Sequence, residues 1–139
     1  MAEDMVVAID PGREKCGLAV VHKEQGIICK TIIATPGLAA AAANLAATYK
    51  LTTVIIGSST TSATAREELD TIRINGHKLT VIPVNEYRST DEARKRYWRD
   101  NPPQGLKRFI PTTLQVPPVP VDDYAAVILA ERYFADKYR

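Results

Sequence analysis

The 139-residue sequence is poor in the residues that build disulfide scaffolds and zinc sites. It has two cysteines, Cys16 and Cys29, with no Cys-x-x-Cys spacing, and only two histidines. His22 ends a predicted strand and His77 follows an Asn-Gly pair, positions where exposed histidines are common. Neither a disulfide framework nor a Cys/His metal site is indicated.

Long apolar runs and a strong net charge are also lacking. No stretch approaches the roughly 20 apolar residues of a membrane span, and the acidic start lacks the basic region of a signal peptide. We therefore expect a cytoplasmic protein with no membrane partner. The net charge is only +2 and the pI is near 8.6, below the range typical of dedicated nucleic-acid binders. The basic excess is local, with seven Lys and Arg residues against three acidic ones between Arg88 and Arg108. A solvated helix face would explain this excess equally well.

The sequence does contain enough apolar residues for a folded core. Hydrophobic residues make up 45% of the chain and charged residues 24%, which is typical of globular proteins. A chain of this length usually forms one domain, so we assign residues 1–139 to a single domain. Residues 104–120 hold several prolines and no clean period, which predicts a loop.

Apolar runs and turn signals predict three strands, then helix, strand, helix, strand and two helices. The first three strands are separated by short turns, which indicates an antiparallel meander. The predicted strands span residues 5–9, 18–22, 27–33, 52–56 and 79–84, and the helices span 38–49, 65–74, 89–99 and 122 to the end. Ser89 and Glu92 predict a capping box at the third helix. This order predicts an α/β protein with the RNase H-like fold: a mixed five-stranded sheet in the order 3-2-1-4-5, flanked by helices.

Acidic residues stand at the ends of these predicted elements. Asp10 ends the first strand, Glu86 follows the last strand by two residues, and Asp122 and Asp123 open the last helix. Each alone has an ordinary explanation as a turn, surface or capping residue. An RNase H-like sheet would bring them together, where like charges need a cation. Mg²⁺ or Mn²⁺ prefers such oxygen ligands, and paired ions of this kind hydrolyse phosphodiesters.

Three segments resemble the motifs of the YqgF/RuvX family. Residues 10–17 (DPGREKCG) resemble its first motif, and the Asp-Pro-Gly form is also similar to the first motif of RuvC Holliday-junction resolvases. Residues 86–94 (EYRSTDEAR) resemble the second motif, and residues 122–129 (DDYAAVIL) resemble the third. The similarity spans nearly the whole chain in the right order.

The resemblance implies that Asp10, Glu86 and Asp122 are catalytic metal ligands. Asp122 is preferred to Asp123 because the family aspartate stands three residues before the first alanine, here Ala125. Asp123 remains an alternative ligand or a supporting residue.

The basic residues that would contact phosphate are Lys15, Arg88 and Arg94. The sequence also departs from the family pattern in three places. Asn85 and Tyr87 flank Glu86 where the family has Asp and Arg, a Ser/Thr-rich stretch follows Gly57, and the loop before Asp122 is rich in proline. The departures leave the substrate open.

Three functions follow from these observations. The first is a metal-dependent endonuclease acting on structured nucleic acid, either an rRNA precursor or Holliday-junction-like DNA. Resolvases act as dimers, so a homodimer is the alternative that goes with a junction substrate. The second is an inactive nucleic-acid-binding or scaffold domain that kept the fold. The third, a fragment related to actin-like kinases, is disfavoured because those proteins need two such domains.

Tyr97 and Trp98 either stack on bases or pack against the sheet.

Overall fold

The computed structural model describes residues 3–59 and 62–135. The strands are β1 (Met5–Asp10), β2 (Lys15–His22), β3 (Gly26–Ala34), β4 (Thr53–Gly57), β5 (Arg73–Ile74), β6 (His77–Lys78) and β7 (Thr80–Val84). The helices are α1 (Leu38–Tyr49), α2 (Ser62–Asp70), α3 (Ser89–Asp100) and α4 (Asp122–Phe134), with short 3-10 helices at Thr35–Gly37, Gly105–Phe109 and Thr112–Leu114. None of the described helices is long and apolar enough to cross a membrane.

Five strands form one mixed sheet in the order β3-β2-β1-β4-β7. The first three are antiparallel, and β4 and β7 run parallel to β1. The predicted α/β fold and the strand order 3-2-1-4-5 are therefore confirmed, with β7 as the fifth strand. Because β1 is the central strand, its last residue, Asp10, lies in the middle of one end of the sheet.

The sheet separates two apolar layers. Val7 and Ile9 of β1 pack in the layer covered by α1, while Val6 and Ala8 pack in the layer covered by α4. This alternation follows from the two-residue period of a strand. Strands that are buried on both faces read as continuous apolar runs, as the sequence of β1 does.

Gly17 allows α4 to cross the sheet close to Asp10. A Cβ atom on Gly17 would collide with the backbone carbonyl of Asp122, the first residue of α4. Gly17 is also paired with Asp10 across the β1–β2 ladder. The missing side chain therefore brings the start of α4 beside the end of β1.

The second helix differs from the prediction at both ends. It begins at Ser62 and ends at Asp70, whereas the sequence predicted residues 65–74. Beyond it, β5 and β6 form a hairpin around Asn75 and Gly76, whose φ angles are 52° and 82°. Two positive φ values suit an Asn-Gly hairpin turn, so this pair joins strands and does not end the helix. Residues 60 and 61 of the predicted hydroxyl-rich loop lie outside the described residues, as do residues 136–139 of the predicted last helix.

The predicted capping box at α3 is wrong. Arg88, in a left-handed conformation with φ 57°, occupies the cap position, and no side chain caps the helix. Ser89 is the first helical residue, so Glu92 stands one position past the third helical position that a capping box requires. The Glu92 carboxylate instead lies 3.1 Å from Arg132 of α4.

Candidate active site

Asp10 is a half-buried carboxyl whose pKa is raised to about 7. Burial is the largest cause, followed by the negative charges of Glu86 and Asp122. Two of the carboxylates predicted from the sequence, Glu86 and Asp122, therefore come within electrostatic reach of the third, Asp10, at one end of the sheet. A perturbed carboxyl with charged neighbours is typical of a functional site.

Glu86 is held in place through its backbone. Arg132 Nη1 donates to the carbonyl of Asn85 at 2.8 Å, and Arg132 Nη2 donates to the carbonyl of Tyr87 at 2.7 Å. The Arg132 side chain is only 5% exposed and also pairs with Glu92. Helix α4 therefore carries one predicted ligand, Asp122, and through Arg132 it holds the backbone around a second, Glu86.

The Glu86 side chain lies over Gly57 at the end of β4. A Cβ atom on Gly57 would collide with a carboxylate oxygen of Glu86 and would lie 3.2 Å from Cδ of Pro11. The carboxylate therefore fills the space beside the Asp10–Pro11 turn. Gly57 makes that space available, because any side chain there would displace Glu86.

Asp122 faces Lys15 of β2, with Nζ 3.3 Å from Oδ2. The side chains are 51% and 30% exposed, respectively. Asp122 Oδ2 itself is buried and accepts no hydrogen bond from the described residues. Asp122 thus presents an acceptor beside which the described residues place one positive group, the exposed ammonium of Lys15. Such a group suits a cation.

The turn that carries Asp10 into β2 is fixed from outside. Thr35 Oγ1 donates to the carbonyl of Gly12 at 2.9 Å, and the Thr35 amide donates to the carbonyl of Glu14 at 2.9 Å. A Cβ atom on Gly12 would collide with the carbonyl of Lys15, so the turn is too tight for a side chain at that position. The resulting loop places Lys15 opposite Asp122.

Asp123 is engaged elsewhere. Its Oδ2 lies 2.9 Å from Lys30 Nζ, which also sits 4.3 Å from the centre of the Tyr124 ring. Burial lowers the pKa of Lys30, but the hydrogen bond and charge of Asp123, together with Tyr124 and Asp100, raise it overall. The charges that raise the Asp10 pKa come from Glu86 and Asp122. Asp122 is therefore the better placed of the two for the carboxylate cluster.

The other predicted phosphate contacts lie on α3 and before it. Arg88 and Arg94 flank Asp91 at 3.3 and 3.7 Å, with side chains 66% and 54% exposed. Arg94 also borders a cavity of about 360 Å³ that contains Lys15 and Asp122. Lys15 and Arg94 therefore face one cavity together with a predicted metal ligand, whereas Arg88 lies outside it.

The three carboxylates are the type of ligand that a divalent cation prefers, but the structure does not arrange all three to hold one directly. Within residues 3–59 and 62–135, no group of three or more His, Cys, Asp or Glu side chains is arranged to hold a metal ion directly. Mg²⁺ usually takes one or two carboxylates and completes its shell with water and phosphate. The Oδ2 atom of Asp122, which lacks a hydrogen bond from the described residues, and the charge repulsion at Asp10 are features that such an ion would relieve.

The two histidines stay apart from this cluster. His22 Nδ1 accepts hydrogen bonds from the amides of Glu24 and Gln25 in the β2–β3 turn, and His77 is exposed in the hairpin.

Tyr97 packs edge-on against Tyr124, with 6.1 Å between the ring centres, so it joins α3 to α4. Packing is therefore the role the structure gives to Tyr97.

The sequence analysis missed Arg132 and Gly57. A signal for Arg132 was present, because it continues the spacing of Ala125 and Leu129, both of them buried on α4. An arginine on an apolar helix stripe indicates a buried charge that needs partners. Gly57 carried no such signal, since a glycine at a strand end is ordinary.

Comparison with known proteins identifies the fold. No protein-family model matches the sequence, and no curated protein matches it. The structure is similar to that of Thermus thermophilus RuvC, with a TM-score of 0.53 and 14% sequence identity, covering 95% of this chain and 94% of that chain. It is also similar to T. thermophilus RuvC in complex with a Holliday junction substrate, with a TM-score of 0.55, the same identity and the same coverage. The chain has the RuvC-like RNase H fold.

Proposed function

We propose that this chain is a metal-dependent endonuclease that hydrolyses phosphodiester bonds in structured nucleic acid. Asp10, Glu86 and Asp122 would be the metal ligands, and Mg²⁺ or Mn²⁺ the cofactor. The observation that carries the proposal is that Glu86 and Asp122 lie within electrostatic reach of the half-buried Asp10 at one end of an RNase H-like sheet, where burial and then these two charges raise the Asp10 pKa. Crowded carboxylates of this kind are costly unless a cation or a proton compensates them.

The residues around the cluster have separable tasks in this proposal. A bound divalent ion would supply Lewis acidity and lower the pKa of a water. Gly57 and Arg132 position Glu86, and Lys15 balances the charge of Asp122. The exposed ammonium of Lys15 and the guanidinium of Arg94 border the same cavity, where they would bind substrate phosphates on either side of the cluster.

The class of nucleic acid is the open part of the proposal. A neighbouring structure is that of RuvC in complex with a Holliday junction substrate, which makes branched DNA the first substrate to test. A structured rRNA precursor is the second. Cleavage of a junction on two strands would require a homodimer, and sedimentation equilibrium would show whether the chain forms one.

Cleavage assays with single-carboxylate variants test the proposal. Labelled four-way junctions and structured RNA would be incubated with Mg²⁺ or Mn²⁺ and with Asp10→Asn, Glu86→Gln or Asp122→Asn protein. Each variant should lose more activity than the roughly 10–100-fold cost of removing an outer-sphere partner. Asp123→Asn is the matched control, because that carboxylate is bonded to Lys30, and it should retain most activity. Equal losses at Asp122 and Asp123 would refute the ligand assignment.

A nucleic-acid-binding domain without catalysis is the second candidate. Two observations favour it. Lys15 already forms an ion pair with Asp122, and no group of three or more His, Cys, Asp or Glu side chains among the described residues is arranged to hold a metal ion. This candidate predicts binding to the same substrates with no cleavage in any divalent ion. Metal-dependent cleavage that disappears in Asp10→Asn would exclude it.

A further inference from the structure

A second cavity, of about 540 Å³, lies between α3 and the loop that precedes α4. Its α3 wall includes Arg94, Lys95 and Trp98, and its loop wall includes Thr112 and Val116. We call it the Trp98 pocket. Its volume lies within the range of about 300–1,000 Å³ typical of small-ligand sites, so it is large enough for one nucleotide.

Trp98 gives the pocket an aromatic surface. The indole is half-buried, and its Nε1–H is buried without an acceptor among the described residues. Nucleobases stack on aromatic side chains, and one stacked base strengthens binding by roughly 5- to 100-fold.

The charge around the pocket suits a phosphate. Arg88, Arg94 and Lys95 line it against one acidic residue, Asp91. The two ion pairs that Asp91 makes, at 3.3 and 3.7 Å, are exposed, and pairs of this kind contribute little to stability. The basic side chains can therefore exchange Asp91 for a phosphate oxygen at small cost.

The Trp98 pocket is continuous with the candidate active site. Arg94 and Val116 border both this pocket and the 360 Å³ cavity that contains Lys15 and Asp122. The sugar-phosphate backbone of a bound nucleic acid could therefore run from the carboxylate cluster past Arg94 to Trp98. This continuity makes a further part of the same substrate the fitting occupant, in preference to an unrelated ligand.

We propose that the Trp98 pocket binds one unpaired nucleotide of the substrate, with its base against the indole and its phosphate on Arg94 and Lys95. The inference rests on the proposed function and specifies its substrate: nucleic acid with an unpaired nucleotide close to the scissile bond. A base inside a duplex must first be unpaired and unstacked, which weakens its binding relative to an unpaired base. The pocket therefore selects branched, overhanging or looped substrates over blunt duplexes.

Intrinsic fluorescence tests this directly, because Trp98 is the only tryptophan in the chain. The full chain would be titrated, in EDTA to prevent cleavage, with a blunt duplex and with the same duplex carrying a three-nucleotide overhang. We expect the overhang to quench the fluorescence at a concentration at least about fivefold lower, from the stacking of one base. Equal quenching by both duplexes, or binding of the overhang without quenching, would overturn the proposal.

Variants separate stacking from charge. Trp98→Leu should weaken binding of the overhang by about 5- to 100-fold and leave blunt-duplex binding unchanged, as measured by anisotropy of labelled oligonucleotides. Trp98→Phe should restore most of the loss. Lys95→Ala should reduce the salt dependence of binding by about one ion, whereas Arg99→Ala, an exposed basic residue of α3 outside the pocket, should change overhang and duplex binding equally. Thermal melting confirms that each variant is folded.

These outcomes differ from a failure of the proposed function. If the chain lacks nuclease activity but Trp98 is still quenched selectively by the overhang, the pocket is supported and the catalysis is refuted. If cleavage depends on Asp10 but the Trp98 and Lys95 variants cleave and bind like the wild type, the nuclease stands and the pocket is refuted.

Discussion

Replacing Asp10 by asparagine should make the metal-free protein more stable while removing its response to divalent ions. The ionised carboxylate of Asp10 is disfavoured in the folded chain by burial and by the charges of Glu86 and Asp122. Asparagine has nearly the same shape and no charge. The substitution therefore removes the repulsion without leaving a cavity.

The size of the effect follows from the pKa. The Asp10 pKa is raised from 3.8 to about 7, and each tenfold change in proton affinity corresponds to about 1.4 kcal/mol. At pH 8 the ionised carboxyl would therefore destabilise the folded state by up to about 4 kcal/mol. Because Asp10 is only half-buried, we expect Asp10→Asn to gain about 2–4 kcal/mol, or roughly 10 °C in the melting temperature.

The gain should depend on pH in a defined direction. Below about pH 4 Asp10 is protonated in both the folded and the unfolded chain, so variant and wild type should have similar stabilities. Between about pH 4 and 7 the unfolded chain ionises first, and the wild type loses stability as the pH rises. Above about pH 7 the full difference should be present.

Denaturant unfolding in EDTA, followed by circular dichroism from pH 4 to 8, measures this difference. Asp70→Asn is the matched control, because Asp70 is exposed and pairs only loosely with Lys78 at 3.8 Å. That control should change the free energy of unfolding by less than about 0.5 kcal/mol at every pH. A destabilised Asp10→Asn protein, or a gain that does not grow with pH, would refute the reasoning.

Three further predictions concern the residues around the cluster. Gly17→Ala should destabilise the protein by about 3 kcal/mol, because the new Cβ atom collides with the Asp122 carbonyl; a change within 0.5 kcal/mol in denaturant unfolding would contradict the close helix crossing. Arg132→Met should cost about 3 kcal/mol by leaving two carbonyls unpaired and reduce cleavage by roughly 10–100-fold, with Arg132→Lys recovering part of both. Lys15→Met should leave stability within about 0.5 kcal/mol and lower the salt dependence of nucleic-acid binding by about one ion, and an unchanged salt dependence would remove Lys15 from the phosphate contacts.

Much of the fold could be predicted because its signals are local. The apolar runs of β1, β2 and β4 and the alanine-rich α1 correspond closely to the observed elements, and their order admits few topologies. The errors fell where two local signals compete. Asn75-Gly76 suits both a helix end and a hairpin, and only the pairing of β5 with β6 decides between them. At α3, the left-handed Arg88 occupies the cap position that was predicted for Ser89.

The acidic residues of the candidate site could be predicted from the sequence. The contacts that position them could not. Asp10 and Asp122 stand at element ends that the topology brings together, so the sequence could indicate them. Arg132 and Gly57 act through contacts with residues distant in the chain, the carbonyl of Asn85 among them. Those contacts depend on how α4 and the strands pack, which no local pattern encodes. The pairing of Lys30 with Asp123, which separates Asp123 from Asp122, likewise joins distant parts of the chain.

A crystal structure of the full chain soaked with Mn²⁺ tests the central claim most directly. Anomalous scattering locates the ion independently of any activity. The account predicts a Mn²⁺ peak coordinated by Asp10 together with Glu86 or Asp122, with Lys15 moved away from Asp122. An ion bound at Asp123 or elsewhere, or no ion at these carboxylates at millimolar Mn²⁺, would contradict it.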